Sequence, residues 1–320
     1  MGHMPAYGND ELTERAVNRF REIFENPKLE VFFVFNGSAS NTLGLKALTQ
    51  SYESILCPST AHIANDECGA PEFFLGSKLV LVDSPHGKLP VDKLDSYLAR
   101  QGDTHAVQLR TVSISLTTEV GTLYSLSELK AIGDWCRKNK FHVHVDGARF
   151  SNAIAALGCQ PKDIISALGV SVLSFGGTKN GLLGAEAIVF FNPTQAQNFQ
   201  FIRKQSLQLA SKMRFVAAQF LEFFTDDLWL ENARHANAMA KHFEKKLLEI
   251  NSKEIQVCHP VEANALFVKL PRKFISDLQK VAPFYVWNEN ENQVRWMCAF
   301  DTKKETVDEF VASVSEVLRT

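Results

Sequence analysis

The chain has 320 residues, of which 45% are hydrophobic and 22% charged, and its formal net charge is −2. This composition is typical of a folded globular protein and excludes a disordered chain. The sequence contains no run of five like charges that would suggest a nucleic-acid or membrane surface, so we expect neither partner. The apolar runs are far shorter than the roughly 20 residues of a membrane span, and the six cysteines form no Cys-x-x-Cys pair. We therefore expect a cytoplasmic protein that acts on a small molecule.

Short β-branched and aromatic runs alternate with amphipathic stretches along the first two thirds of the chain. Helices are predicted at 12–24, 91–100 and 126–139, the last with Ser127 as its N-cap. Because the strands are nearly all apolar and separated by helices, we expect an α/β fold with a mostly parallel central sheet covered on both faces. The predicted strands are 30–35, 54–57, 78–83, 109–116, 141–146, 171–174 and 185–191.

The pattern changes in the last third of the chain. A long helical region without turns is predicted over 194–250, interrupted only near 225–227. Four short strands (255–257, 265–270, 284–287 and 293–298) and two helices (274–281 and 304–318) follow it. We therefore predict a large domain over residues 1–226 and a smaller C-terminal α+β domain over 227–320.

A carboxylate ends the strand that reads Phe141-His142-Val143-His144-Val145-Asp146 and leads into Gly147-Ala148-Arg149. Ligands of parallel α/β sheets bind at the carboxyl ends of strands. A pyridoxal enzyme needs a carboxylate there, because an aspartate beside the pyridine nitrogen keeps that nitrogen protonated. On this segment alone, Asp146 is better explained as a cap of a helix that begins at Ser151.

A lysine enclosed by glycines follows 33 residues later, in Ser174-Phe175-Gly176-Gly177-Thr178-Lys179-Asn180-Gly181. Glycines allow the backbone to approach a ligand closely, and Ser174 and Thr178 could donate to phosphate oxygens. A lysine nucleophile has to be held at one place and partly desolvated. The pairing with Asp146 favours a catalytic role for Lys179 over that of a solvated loop lysine.

A third segment, Phe35-Asn36-Gly37-Ser38-Ala39-Ser40-Asn41, lies between a strand and the helical residues 42–49. Small residues at a helix N-terminus expose backbone N–H groups, which favour a phosphate. The alternative is ordinary capping by Ser38 or Ser40.

Together these segments resemble the threonine aldolase and β-eliminating lyase group of fold-type I pyridoxal-5′-phosphate enzymes. The resemblance covers almost the whole chain. The segments 144–149 and 174–181 are its most specific parts, and it is supported by Tyr7-Gly8-Asn9-Asp10, Ala61-His62-Ile63, Glu67-Cys68-Gly69 and Lys212-Met213-Arg214.

The resemblance implies the cofactor pyridoxal 5′-phosphate and a role for each matching residue in holding it. Lys179 would form a Schiff base with the cofactor, Asp146 would pair with the pyridine nitrogen, and His62 would stack on the ring. Gly37 and Ser38 would hold the phosphate, in addition to Thr178.

The same resemblance implies that Arg149 and Arg295 bind the substrate carboxylate by charge-assisted hydrogen bonds. It also implies a homodimer or homotetramer with sites between subunits, where Arg214 would reach the phosphate of a neighbouring subunit and Tyr7 would border the shared site. The 24 phenylalanines would suit such contacts.

Two departures from the family affect the expected chemistry. Many relatives carry a histidine where Glu119 stands here, so His62 and Glu119 are both candidates for the base that acts on the β-hydroxyl. Relatives also have a preceding segment with a Ser-Asp pair that is absent from this sequence, and we expect that a shortened N-terminus would alter substrate binding.

The resemblance implies carbon–carbon cleavage of β-hydroxy-α-amino acids to glycine and an aldehyde, with threonine, allo-threonine and phenylserine as candidate substrates. β-Elimination, transamination or racemisation with the same cofactor stay open, since fold and lysine do not determine which bond breaks. A cofactor-binding relative without turnover is a further alternative. From a different class, a metal-dependent hydrolase could use His142, His144 and Asp146, which alternate along one strand and share a face.

Overall fold

The computed structural model describes residues 3–319, and a seven-stranded sheet forms the centre of its larger part. Its strands are β1 (Glu30–Val34), β2 (Glu53–Pro58), β3 (Lys78–Val82), β4 (Gln108–Ser115), β5 (His142–Gly147), β6 (Val172–Gly176) and β7 (Glu186–Phe190). They lie in the order β1-β7-β6-β5-β4-β2-β3. The five strands β6, β5, β4, β2 and β3, in this order in the sheet, are each parallel to the next. Strand β7 is antiparallel to both of its neighbours, β1 and β6. The predicted mostly parallel sheet is therefore confirmed.

Helices cover both faces of this sheet. They are α1 (Glu11–Ile23), α2 (Gly37–Leu48), α3 (His62–Asn65), α4 (Ala70–Leu75), α5 (Leu126–Asn139), α6 (Phe150–Leu157) and α7 (Pro161–Leu168), and Val91–Leu98 is a 3-10 helix. The prediction of Ser127 as the cap of α5 was wrong. Ser125 is the cap, because its side chain accepts from the backbone N–H of Glu128 while the Glu128 carboxylate accepts from the backbone N–H of Ser125.

The predicted helical region over 194–250 is more broken than its sequence suggested. It forms α8 (Pro193–Ala196), α9 (Phe199–Gln205), α10 (Arg214–Phe223) and α11 (Leu228–Glu249). Helix α9 ends where Leu207 takes a left-handed conformation with φ 63° and the Gln208 side chain turns back to accept from the backbone N–H of Phe35. The predicted interruption is present as the turn Thr225–Asp227.

The C-terminal part contains an antiparallel sheet of four strands. These are β8 (Gln256–Val257), β9 (Ala265–Lys269), β10 (Tyr285–Asn288) and β11 (Gln293–Met297), in the order β10-β11-β9-β8, together with α12 (Arg272–Val281) and α13 (Lys304–Val317). Helix α11 contacts α6 of the larger part and α13 of the smaller one. The domain boundary expected between residues 226 and 227 falls in the turn before α11 and stays a prediction.

A cluster of aromatic rings anchors the strand that leads to Lys179. Phe175 in β6 packs against Phe20 of α1 at a ring-centroid distance of 5.2 Å, and Phe20 packs against Phe220 at 5.3 Å. All three side chains are fully buried. Thirteen of the 24 phenylalanines are buried, so just over half of them pack within the single chain. Within residues 3–319, no helix is long and apolar enough to cross a membrane.

Candidate active site

Asp146 lies at the carboxyl end of β5 with both of its carboxylate oxygens hydrogen-bonded. Oδ2 accepts from Nδ2 of Asn41 on α2 at 2.9 Å, and Oδ1 accepts from the backbone N–H of Ala148 at 3.0 Å. Helix α6 begins at Phe150 without a side-chain cap, so Asp146 does not cap it. The buried carboxylate instead borders a cavity at the edge of the sheet.

The loop that carries Lys179 is packed so closely that its glycines leave no room for side chains. A Cβ on Gly176 would lie 2.4 Å from the carbonyl oxygen of Ala148, and one on Gly177 would lie 2.5 Å from that of Ala185. This packing places Lys179 beside the turn that follows Asp146. The positive charge of Arg149, and secondarily burial, lowers the pKa of the Lys179 amine, which increases the fraction that is neutral and nucleophilic.

Two adjoining cavities meet at His62 and Lys179. The smaller has a volume of about 280 Å³ and the larger about 630 Å³. Asp146, Glu186 and the N-terminal residues of α2 line the smaller cavity, whereas Glu119, Arg149 and Arg295 line the larger one. A lysine at the junction can therefore act on groups bound in either cavity.

The N-terminus of α2 forms one end of the smaller cavity. The helix begins at Gly37, earlier than predicted, and Asn36 caps it by accepting from the backbone N–H of Ala39 at 2.8 Å. The expected capping by Ser38 or Ser40 was therefore wrong. A Cβ on Gly37 would meet no atom within 4 Å, so open space lies in front of this helix N-terminus.

Of the two hydroxyl groups predicted to contact a phosphate, only Thr178 lines the smaller cavity. Its Oγ1 accepts from the backbone N–H of Ala185 at 3.1 Å, and its hydroxyl is also hydrogen-bonded to the Glu186 carboxylate. Ser174 does not face the cavity, because its Oγ is hydrogen-bonded to Nε2 of the fully buried His144 at 3.1 Å.

Two arginines stand in the larger cavity without a carboxylate partner. Among the residues that the structure describes, Arg149 has only a weak contact, with Met297 Sδ at 3.5 Å. The Arg295 guanidinium carbon lies 5.4 Å from the ring centre of Tyr285 and 5.1 Å from that of Trp287. Burial, together with the charge of Arg149, lowers the pKa of Arg295. Two unpaired cations at one cavity favour an anionic ligand.

Glu119 and His62 also face the larger cavity. Glu119 is 6% exposed and belongs to the loop after β4. Nδ1 of His62 lies 2.9 Å from Oε1 of Glu67, and this hydrogen bond raises the pKa of His62. Both predicted base candidates are thus beside Lys179, and the geometry allows either to exchange a proton there.

Sequence reasoning missed three polar side chains of the smaller cavity. Asn41 and Glu67 join His62 to Asp146, and Glu186 accepts from the backbone N–H of Gly177 at 3.0 Å. Burial raises the pKa values of both glutamates. Glu67 belongs to the segment Glu67-Cys68-Gly69 that supported the resemblance, but no role was assigned to it, and Asn41 and Glu186 are single polar residues among small or apolar ones.

Tyr7 and Arg214 line neither cavity. The backbone N–H of Tyr7 donates to the carbonyl oxygen of Ser211 at 2.9 Å, and Lys204 Nζ lies 5.2 Å from the centre of the Tyr7 ring. The Arg214 guanidinium donates to the carbonyl oxygen of Pro5 at 3.3 Å. Within one chain, these two predicted residues are not brought to the site.

The structure does not support the metal-hydrolase alternative. Both ring nitrogens of His144 are hydrogen-bonded to serine hydroxyls, Nδ1 to Ser113 at 2.8 Å and Nε2 to Ser174 at 3.1 Å. Across residues 3–319, no group of three or more His, Cys, Asp and Glu side chains could hold a metal ion. His144 is therefore a buried core histidine, and burial lowers its pKa to about 4.

Comparison with known proteins agrees with this geometry. The chain is 46% identical to a low specificity L-threonine aldolase of Pseudomonas aeruginosa over 99% of its length and 91% of that protein. It is 42% identical to the low specificity L-threonine aldolase of a second Pseudomonas strain, with the same coverage. The solved structure of Leishmania major threonine aldolase superimposes with a TM-score of 0.92 at 27% identity, covering 100% of this chain and 93% of the other.

These matches confirm the predicted resemblance and the predicted fold class, that of fold-type I pyridoxal-phosphate enzymes. The family model described as beta-eliminating lyase matches residues 1–272. The chain therefore belongs to the β-eliminating lyase family of enzymes.

Proposed function

We propose that this enzyme cleaves the Cα–Cβ bond of β-hydroxy-α-amino acids, such as threonine, allo-threonine and phenylserine, to give glycine and an aldehyde. The observation that carries this proposal is the position of Lys179, at the junction of one cavity that contains Asp146 and another that contains two unpaired arginines. The names of the two Pseudomonas relatives support the same reaction.

Pyridoxal 5′-phosphate fits the smaller cavity. Lys179 would hold the aldehyde carbon covalently, and Asp146 would pair with the pyridine nitrogen through Oδ2. Gly37, Ser38 and Thr178 would hold the phosphate at the N-terminus of α2, where a Cβ on Gly37 would meet only open space. When bound, this cofactor supplies an electron sink for the bond that breaks at Cα.

The arginines of the larger cavity would bind and orient the amino-acid substrate. Arg149 at the start of α6 belongs to the larger part of the chain and Arg295 on β11 to the smaller part, so a carboxylate between them would be held from both sides. Such a clamp fixes the rotation about the bond between the substrate's amino nitrogen and Cα. This rotation determines which of the other bonds at Cα breaks.

A base then has to remove the proton of the β-hydroxyl group. His62 can accept it at Nε2, since its Nδ1 is engaged with Glu67, and the carboxylate of Glu119 faces the same cavity. Both residues stay candidates for this role.

We also propose a homodimer or homotetramer in which Tyr7 and Arg214 serve a neighbouring subunit. Large apolar side chains near these residues are exposed, with Leu183 at 86% and Phe215 at 59%. Leu183 and Phe215 lie on one continuous surface, because Gln219 is hydrogen-bonded to the backbone carbonyl of each. An apolar surface of this kind is typical of a subunit interface. The six unpaired cysteines agree with a cytoplasmic location.

Other reactions of the same cofactor are distinguished by their products. We expect purified enzyme with pyridoxal 5′-phosphate and threonine to release glycine and acetaldehyde in equal amounts. The Lys179→Ala variant should lose this activity, whereas Lys46→Ala should keep it, because Lys46 donates only to the carbonyl oxygen of Phe74 outside the site. Release of ammonia or a keto acid without acetaldehyde would show that the chain performs a different reaction.

A further inference from the structure

A continuous line of buried hydrogen bonds runs beneath the two cavities. Nδ1 of His62 lies 2.9 Å from Oε1 of Glu67, the same oxygen accepts from Nδ2 of Asn41 at 2.8 Å, and Nδ2 also donates to Oδ2 of Asp146 at 2.9 Å. The four residues come from α3, the α3–α4 loop, α2 and β5. Their alignment brings together residues that are up to 105 positions apart in the chain.

The orientation of the Asn41 amide is fixed by its two carboxylate neighbours. Its Nδ2 carries two hydrogens, and one points to each carboxylate. Rotating the amide by half a turn would place its oxygen against two acceptors, which is electrostatically unfavourable. Its Oδ1 is buried without a hydrogen-bond partner. The amide thus leaves its own acceptor unsatisfied while bridging Glu67 and Asp146.

The same line determines which nitrogen of His62 carries a hydrogen. Oε1 of Glu67 accepts from Asn41, and when Glu67 is ionised the same oxygen also accepts from Nδ1 of His62. Nε2 is then the atom that can accept or release a proton in the cavity. The charged groups that face His62 are Glu67, Glu119 and Asp146, and the wall of the same cavity also contains Asp66, Lys179, Arg149 and Arg295.

A purely structural role does not explain Glu67. Its side chain has no exposed surface, and its Oε2 has no hydrogen-bond partner among residues 3–319. Burying a carboxylate in this way is unfavourable, and an apolar side chain would fill the space at lower cost. A charge retained at such a position favours a function in the site.

We propose that Glu67 and Asn41 are positioning residues, which hold the His62 imidazole with Nε2 toward the reacting atoms and connect it to the carboxylate that faces the pyridine nitrogen. This inference deepens the proposed function and rests on it for the identity of the reaction. Glu67 also lines the smaller cavity, but its hydrogen bond to Nδ1 of His62 assigns it an action through that histidine. It has the role that an aspartate has toward a catalytic histidine in a hydrolase triad, namely to fix tautomer and orientation.

The test is NMR spectroscopy of the cofactor-free protein with isotope-labelled histidine, which needs no turnover and so separates this inference from the proposed reaction. The chain has nine histidines, and loss of one signal in His62→Asn assigns His62. In the native sequence, Nδ1 should carry the hydrogen of the neutral ring. In Glu67→Gln, which removes the charge but keeps the shape, the His62 pKa should fall by about one unit or more.

The matched control is a second histidine–carboxylate pair far from the site, His242 Nε2 with Asp308 Oδ1 at 2.6 Å. Asp308→Asn should change the His242 signal, leave that of His62 unchanged and retain full activity. Glu67→Gln should in addition lower kcat/KM for threonine by about 100-fold, the lower end of what a positioned general base contributes.

Two results would overturn the inference. One is a native His62 whose Nδ1 carries no hydrogen in the neutral ring, which needs only the native protein and the His62→Asn variant that assigns the signal. The other is a folded Glu67→Gln protein with an unchanged His62 tautomer and pKa. Asn41→Leu provides an independent variant with the same branching at Cγ but without the amide, and it should weaken pyridoxal 5′-phosphate binding about ten-fold if the bridge to Asp146 supports the site.

Discussion

Gly176 packs against the turn after β5 so closely that no side chain fits at this position. A substitution here should therefore change both the stability and the activity of the enzyme. In Gly176→Ala the new methyl carbon would lie 2.4 Å from the carbonyl oxygen of Ala148 and 2.6 Å from its Cα. Both neighbours are backbone atoms, so no side chain can rotate away. The strand ends that carry Asp146 and Lys179 would have to separate.

The size of the effect follows from these distances. Ordinary van der Waals contacts of a Cβ begin near 3.4 Å, so the two segments must move apart by about 1 Å. Overpacking of this kind costs roughly 1–3 kcal/mol of unfolding free energy. A 1 Å displacement between reacting groups also lowers the rate by about 100-fold. We therefore expect lower stability and a still larger loss of kcat/KM.

The assay compares Gly176→Ala with Gly44→Ala, a matched control inside helix α2. A Cβ on Gly44 would meet Val172 and His144 at ordinary distances of 3.5 Å and 3.7 Å. The control should therefore be neutral or gain roughly 0.5–1 kcal/mol from its better helix propensity. Chemical denaturation gives stability, and acetaldehyde release from threonine gives kcat/KM. A Gly176→Ala enzyme with native stability and native activity would refute the reasoning.

Three further predictions concern charge and pH. Arg295→Leu should raise KM for threonine by about 10- to 150-fold, since a charge-assisted hydrogen bond contributes roughly 1.5–3 kcal/mol. Initial-rate kinetics measure KM, and an unchanged value would show that Arg295 does not bind the substrate. Arg149 lowers the pKa of Lys179, so Arg149→Met should shift the pH profile of covalent cofactor attachment to higher pH. Stopped-flow absorbance measures this profile, and a profile at the same pH as in the native enzyme would contradict the prediction. Burial lowers the pKa of His144 from 6.5 to about 4, so the unfolded chain binds this proton first. The contribution of His144 to the free energy of unfolding should therefore fall as the pH drops through this range, by up to roughly 1.4 kcal/mol per unit. Urea midpoints with the same pH dependence in the native protein and in His144→Asn would contradict this.

The sequence predicted the parts of the fold and site that depend on local pattern. Apolar strands separated by helices indicated the parallel sheet, and ligand sites lie at the carboxyl ends of such strands. Asp146 and Lys179 each follow directly from a strand, so their placement at one edge could be inferred without coordinates. The strand pattern was clear because these strands are buried on both faces.

The features that were missed depend on contacts between distant segments. Asn41 and Glu67 meet through tertiary packing, which periodicity does not reveal. The helical region after residue 194 breaks because the Gln208 side chain bonds to the backbone of Phe35. Ser174 was assigned to a phosphate because it precedes the glycine-enclosed lysine, but its hydroxyl is used by His144 on the neighbouring strand. Tyr7 and Arg214 lie away from the cavities of their own chain, and their role toward a neighbouring subunit stays a prediction.

The most direct test of the account is reduction of the enzyme with borohydride in the presence of pyridoxal 5′-phosphate, followed by mass spectrometry of its peptides. Borohydride converts a lysine-bound cofactor into a stable adduct, which marks the residue that holds it. The account predicts one stoichiometric adduct per chain, on Lys179. An adduct on a different lysine, or none at saturating cofactor, would contradict the central claim.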